Sequence, residues 1–402
     1  MSNGSKRKKT KIFLMLIVIM ITTITLAVET YAWFVGLSTV NTNSFNINVS
    51  SGGGLEISLD GEHWKKDNDV LTISASTITA TSGSGDHAYS GNTNSWVGAN
   101  GLVPVSTNGS LNSTTGRLTF FEKSTLSSTP GGYRIVANQV DNSVNETGQY
   151  VVFDLFIRNG TDNVFSKDNY SSQGGESIYL KKTSSASVNG TINYGAANSV
   201  RVGFFLLAGM KARGATTSQI TSLSCASTDS STVKKICSSS ASTQKNYWNI
   251  WEPNYKSHTS NAVSYFNQIC KNRDVSTGEY LSNSCTALTE TKSITTFSIF
   301  RNISASDNVD IYDGHNDYSA NLYTGGNAET SFLTSTNTYR IDSTTTYNQS
   351  NQLFKLAGNS ITKVRVYIWL EGQDVDNYDI VTKNSNVIVN FGLTKDRYEI
   401  NG

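Results

Sequence analysis

The chain is poor in the residues that mark most enzymes. Four histidines occur in 402 residues, His63, His87, His258 and His315, and they are dispersed. There is no HExxH pair and no Gly-x-Ser-x-Gly elbow, which excludes the zinc-protease helix and the serine-hydrolase turn in their usual forms. Proline is scarcer still, at three residues against 32 glycines, while Ser, Thr and Asn fill the chain between short β-branched and aromatic runs. That is the composition of an exposed β protein. No sign of charge dominates: 32 basic and 31 acidic side chains leave a formal +1. Binding phosphate needs a concentrated basic surface, so a nucleic-acid partner is excluded for the body of the chain. Cysteine is limited to Cys225, Cys237, Cys270 and Cys285, with no CxxC spacing of the kind structural zinc sites use.

Only one long hydrophobic run is present. Lys6, Arg7, Lys8, Lys9 and Lys11 form a basic head, and Ile12 to Val28 is apolar apart from three threonines. Those residues span roughly 25 Å as a helix, short for a membrane span and long for a secretory core. Thr30-Tyr31-Ala32 then places small or short residues before Trp33, as at a signal-peptidase cleavage site. Residues 1–32 therefore read as a signal peptide or an N-terminal membrane anchor, and both place the body outside the cell. Residues 394–402 hold no LPxTG motif, hydrophobic tail or basic end, which leaves wall attachment by sortase unsupported.

Thr30-Tyr31-Ala32-Trp33-Phe34, the polar stretch from Ser38 to Ser44 and the β-like Phe45-Asn46-Ile47-Asn48-Val49 resemble the leader of the TasA/camelysin family of biofilm-matrix fibre proteins. The resemblance covers mainly the first fifty residues. It implies cleavage by a dedicated signal peptidase and assembly of copies into fibres. Pro104-Val105-Ser106-Thr107, Val200-Arg201-Val202-Gly203-Phe204, Ile250-Trp251-Glu252-Pro253-Asn254 and Trp369-Leu370-Glu371-Gly372 are similar to segments of large secreted proteins of low-GC Gram-positive bacteria. That second resemblance implies no activity.

The fold class read from the residues is mainly β, a β-sandwich or jelly-roll-like body with a disulfide-containing, partly helical insertion. Four segments alternate with period two: Val151, Phe153, Leu155 and Ile157; Val200, Val202, Phe204 and Leu206; Val364, Val366, Ile368 and Leu370; Val387, Val389, Phe391 and Leu393. Each presents an apolar face and a mixed one, so the four are expected to share one core. Burying each such side chain contributes about 1.5–3 kcal/mol, enough in sum to anchor a sandwich. Residues 33–54 read as an extended arm ending in a Gly-rich hinge, 55–210 as the first part of the sandwich and 359–402 as the strands that complete it. Asp60-Gly61 signals a tight turn, Val70 to Thr81 a β-rich run, and Ser82 to Gly101 a surface excursion.

The insertion, 211–358, carries all four cysteines, which outside a membrane most simply form two disulfides. Three connectivities exist; local pairs, Cys225 with Cys237 and Cys270 with Cys285, close the shortest loops. Ala262 to Lys271 has the spacing of a short helix.

Candidate functional residues fall into three groups. Trp33, Phe34, Phe45, Ile47 and Val49 form an arm that either pairs within its own domain or completes a neighbour's sheet by strand addition. Trp248, Trp251 and Tyr255 are either a platform for host or matrix glycans or rings that pack the insertion onto the sandwich. Glu371, Asp374 and Asp376 are a calcium candidate, read otherwise as solvated loop acids, as are Asp307, Asp310, Asp313 and Asp317; no other cofactor is expected. Glu252 and His258 offer an acid and a base with no supporting spacing. The expected role is structural or adhesive, at the cell surface, with other copies, glycans and the membrane as partners. A monomeric binding module and a secreted metal-dependent hydrolase are the alternatives.

Overall fold

Side chains that alternate between apolar and mixed need two different neighbours, one for each face, and the arrangement of strands supplies both. The computed structural model describes residues 45–66, 69–96, 102–111, 117–129, 132–142, 145–146, 149–161, 176–189, 195–206, 210–224, 248–254, 258–264, 309–312, 338–339, 353–372, 374, 376 and 386–395. In chain order the first strands are β1 (Phe45–Ser51), β2 (Leu55–Ser58), β3 (Val70–Ile73), β4 (Ser106–Leu111), β5 (Leu118–Thr129), β6 (Gly132–Gln139), β7 (Val151–Asn159) and β8 (Glu176–Leu180). There follow β9 (Ser185–Asn189), β10 (Val200–Phe205), β11 (Met210–Ala212), β12 (Trp248–Trp251), β13 (Val309–Tyr312), β14 (Thr338–Tyr339), β15 (Phe354–Leu356), β16 (Ser360–Leu370) and β17 (Asn386–Lys395). Two short helices are α1 (Ala75–Thr79) and α2 (Thr217–Thr221).

The first sheet runs β15-β8-β17-β1-β3, with β9 also on β17; the second runs β14-β12-β10-β16-β7-β2, with β11 also on β16. All sixteen alternating positions fall in one hydrophobic core, and that core holds residues of both sheets. The body is therefore sandwich-like and mainly β. Phe204 of the second sheet meets Phe391 of the first edge to face, their centroids 5.2 Å apart.

The mixed faces are not solvated. On the outer side of the second sheet, Val152, Phe205, Tyr367 and Trp369 pack with Val105, Leu118, Phe120, Val140, Tyr150 and Ile250 in a second buried cluster. Leu118 and Phe120 belong to β5, whose sheet, β13-β6-β5-β4, thus contributes a third layer at this end. Gly203 sits under that layer. A Cβ there would come within 2.5 Å of the Phe205 ring, so the strand omits a side chain where two aromatics need the space.

Four details bear on the reading of the sequence. Val70 to Thr81 is a strand only as far as Ile73; α1 follows, because the Ser74 hydroxyl accepts from the Thr77 N–H and the Thr77 hydroxyl accepts in turn from the Ser74 N–H. Ile47 and Val49 are buried in the chain's own sheet, where β1 pairs in parallel with β17 from Phe45↔Val387 to Ser51↔Leu393. The described strands of 211–358 are woven into all three sheets: β11, β12 and β14 join the second, β15 the first and β13 the third. Of the expected helix, residues 260–264 are helical and the remainder, like the four cysteines, lies outside the described residues.

Candidate functional site

The largest assembly of chemistry-bearing groups lies where β10, β12 and β16 end on the outer face of the second sheet. Arg201 is fully buried there, beside Trp369 across the strand pair. Its Nη1 donates to the carbonyls of Asn198 and Val200, at 2.8 and 2.9 Å, and its Nη2 to Asp374 Oδ2 at 2.6 Å. Its Nε lies 3.5 Å from Glu252 Oε1. Beyond β16 the chain is steered by main-chain bonds: Glu371 N–H donates to Ser199 O, and Gly372 N–H to Val105 O.

Asp374 N–H then donates back to Glu371 O at 3.2 Å. Asp376 N–H donates to Asp374 Oδ1 at 2.9 Å, and Trp369 Nε1 donates to Glu371 Oε2 at 3.2 Å. Asp376 receives the segment that follows β12. Thr259 donates to its Oδ1 through both N–H and hydroxyl, and His258 Nδ1 lies 2.6 Å from its Oδ2. Gly195, at φ +96°, lets the backbone pass so close that a Cβ would stand 2.9 Å from the Asp376 Cβ; the left-handed conformation and the close approach both require glycine.

The electrostatics follow from counting charges in a buried volume. One guanidinium faces Asp374, Glu252 and Glu371. Burial works to lower the Arg201 pKa, but those carboxylates outweigh it and hold the pKa above the ordinary value. Burial, with the Asp376 charge adding to it, pushes the Asp374 carboxyl above the usual carboxylate range despite the opposing pull of Arg201.

Of the calcium candidate, Asp374 and Asp376 share a group with His258 in which one ligand atom from each lies within 4.8 Å of the others. The oxygens of both carboxylates also take part in hydrogen bonds or ion pairs, and the third member of the group is an imidazole, a poor ligand for a hard cation. The solvated-acid reading fails, since Glu371, Asp374 and Asp376 are all buried. These residues act as a clamp joining the ends of three strands.

Trp251 is fully buried in the sandwich core, where no sugar can stack on it; it packs the insertion onto the body. Trp248 contributes its backbone to β12, while its side chain, the side chain of Phe45, and Tyr255, Trp33 and Phe34 lie outside the described residues. Glu252 faces Arg201, and His258 faces Asp376.

Sequence reading missed a second buried network. Arg365 Nη1 is 3.1 Å from Asp154 Oδ1 and its Nη2 is 2.9 Å from Glu146 Oε1. Tyr89 donates to Asp154, and Tyr150 to Glu146. Burial first, and then the neighbouring carboxylates, raise the pKa of both phenols. The available signal was the company these charges keep. A face carrying Phe205, Tyr367 and Trp369 is too aromatic to stand in water, so its Arg and Asp residues had to be internal.

No family profile, curated protein or solved structure matches the chain. Among the described residues no helix is long and apolar enough to cross a membrane; residues 1–44 lie outside them.

Proposed function

We propose that the protein is a structural or adhesive β-sandwich protein of the cell surface that assembles by strand addition, with β1 as the donated element. The observation that supports this is the seating of β1. It fills a slot between β17 and β3, pairing along its whole length with the first and over Ile47 to Ser50 with the second. Removing it would leave two strands with open hydrogen-bonding edges and expose the apolar floor that Ile47 and Val49 now cover. Only Gly52-Gly53-Gly54 joins it to β2, with positive φ at Gly53 and Gly54. Straightening that link frees β1 to fill the same slot in a second copy; the turn bond from Leu55 N–H to Gly52 O is lost, while the exchanged and internal strand pairings are identical.

The test uses the register. Asn48 and Asn390 are opposed across β1 and β17, their amides 2.8 Å apart. Asn48→Cys with Asn390→Cys, oxidised at high protein concentration, should give a ladder of covalent multimers on non-reducing gels, beyond any formed without the added pair. A cross-link found only within single chains would reject strand exchange.

A further inference from the structure

The dispersed histidines are not all dispersed in space. The turn after β2, where Gly61 adopts φ +75°, carries Asp60 and His63, and the loop after α1 returns to place His87 against them. The Asp60 carboxylate is fixed through one oxygen. Oδ1 accepts from the Ser58 hydroxyl and from the N–H groups of Glu62 and His63, each at 2.8 Å. Oδ2 is left facing two imidazoles: His63 Nδ1 at 2.6 Å and His87 Nδ1 at 3.7 Å. The two rings meet edge to face with centroids 5.5 Å apart. One donor atom from each of the three residues lies within 4.8 Å of the others.

We propose that Asp60, His63 and His87 form a binding site for a divalent transition-metal ion of the zinc or copper class. Two imidazole nitrogens and one carboxylate oxygen suit borderline metals, whereas calcium and magnesium require oxygen ligands. The supporting shell is that of a metal site. Asp60 is oriented by its turn, and the His87 ring is held beside it, its Nδ1 3.1 Å from the Ala88 carbonyl. A tetrahedral ion with bonds near 2.1 Å sets its ligands about 3.4 Å apart. His63 must therefore withdraw slightly from Asp60 as the ion replaces the shared proton. Its side chain is 59% exposed and has room to do so. Three protein ligands leave a fourth position open to water or to a ligand on another molecule.

The experiment is a calorimetric titration of untagged, thiol-alkylated full-length protein with Zn²⁺, run with excess Ca²⁺ present. One ion per chain should bind, and His63→Ala and His87→Ala should each weaken binding by about tenfold or more. The same substitutions should abolish Cu²⁺ quenching of the neighbouring Trp64 fluorescence. His63→Ala removes an exposed ring, and an unchanged melting temperature will show that the fold is intact. Failure of Zn²⁺ to bind, displacement by Ca²⁺, or equal affinity in folded His63→Ala protein would each overturn the site.

Discussion

Arg365 shows what a charge held under a packed layer does when opposite charges face it. With Arg117 beside it, two guanidiniums face Asp154 and Glu146, and the count balances. Such a network adds little net stability over an apolar replacement of the whole, but losing one member strands the others in low dielectric. Arg365→Leu should therefore cost about 3–5 kcal/mol in urea unfolding. Adding Glu146→Gln and Asp154→Asn to that variant should recover part of the loss. Equal stability of Arg365→Leu and the parent would mean that water reaches these acids. Alternation alone did not reveal this, because Arg365 and Asp154 alternate with core residues as solvent-facing side chains do; only the aromatic company of Tyr367 and Trp369 on that face signalled it. The pattern fixes which residues share a face. It does not say whether a third layer covers that face.

Elements are held together by groups the alternation cannot reveal. β8 supplies Glu176, whose Oε2 accepts from Asn159 of β7 and from Lys395 of β17, so one carboxylate joins both sheets. Burial works to raise its pKa, but bonds from Thr161 and Asn159 and the Lys395 charge outweigh that and leave it below the ordinary 4.5. A carboxyl whose folded pKa is depressed stabilises the fold above its unfolded pKa and loses that contribution as pH falls through the folded value. Glu176→Gln should thus melt below the parent at neutral pH, and the gap should close as pH drops under 4.5. A gap that stays constant with pH would assign the effect to lost hydrogen-bond geometry alone. At this scale the long strands β7, β10, β16 and β17 were readable from their period. α1 was not, because Val70 to Thr81 has strand-like composition, and the deciding feature is a reciprocal cap between Ser74 and Thr77.

Across the whole molecule the order of pairing sets how it can fold. β1 and β17 come from opposite ends of the described chain, yet they are neighbours over seven residue pairs, and β17 also carries β8 and β9. The second sheet can form without β17; the first cannot. Contacts of such sequence separation must wait for the intervening chain to be placed, which makes closure of the first sheet a late event and β1 the strand left open longest. That exposure is also what strand exchange between copies would use. A chain ending at residue 385 should retain the second sheet while the amides of Ile47 and Val49 exchange rapidly with deuterium. A peptide spanning Asn386–Lys395, added in trans, should restore their protection by refilling the slot from its other side. Slow exchange at Ile47 and Val49 in the shortened chain, with no peptide present, would show that β1 is held by β3 alone and is not available to a neighbour.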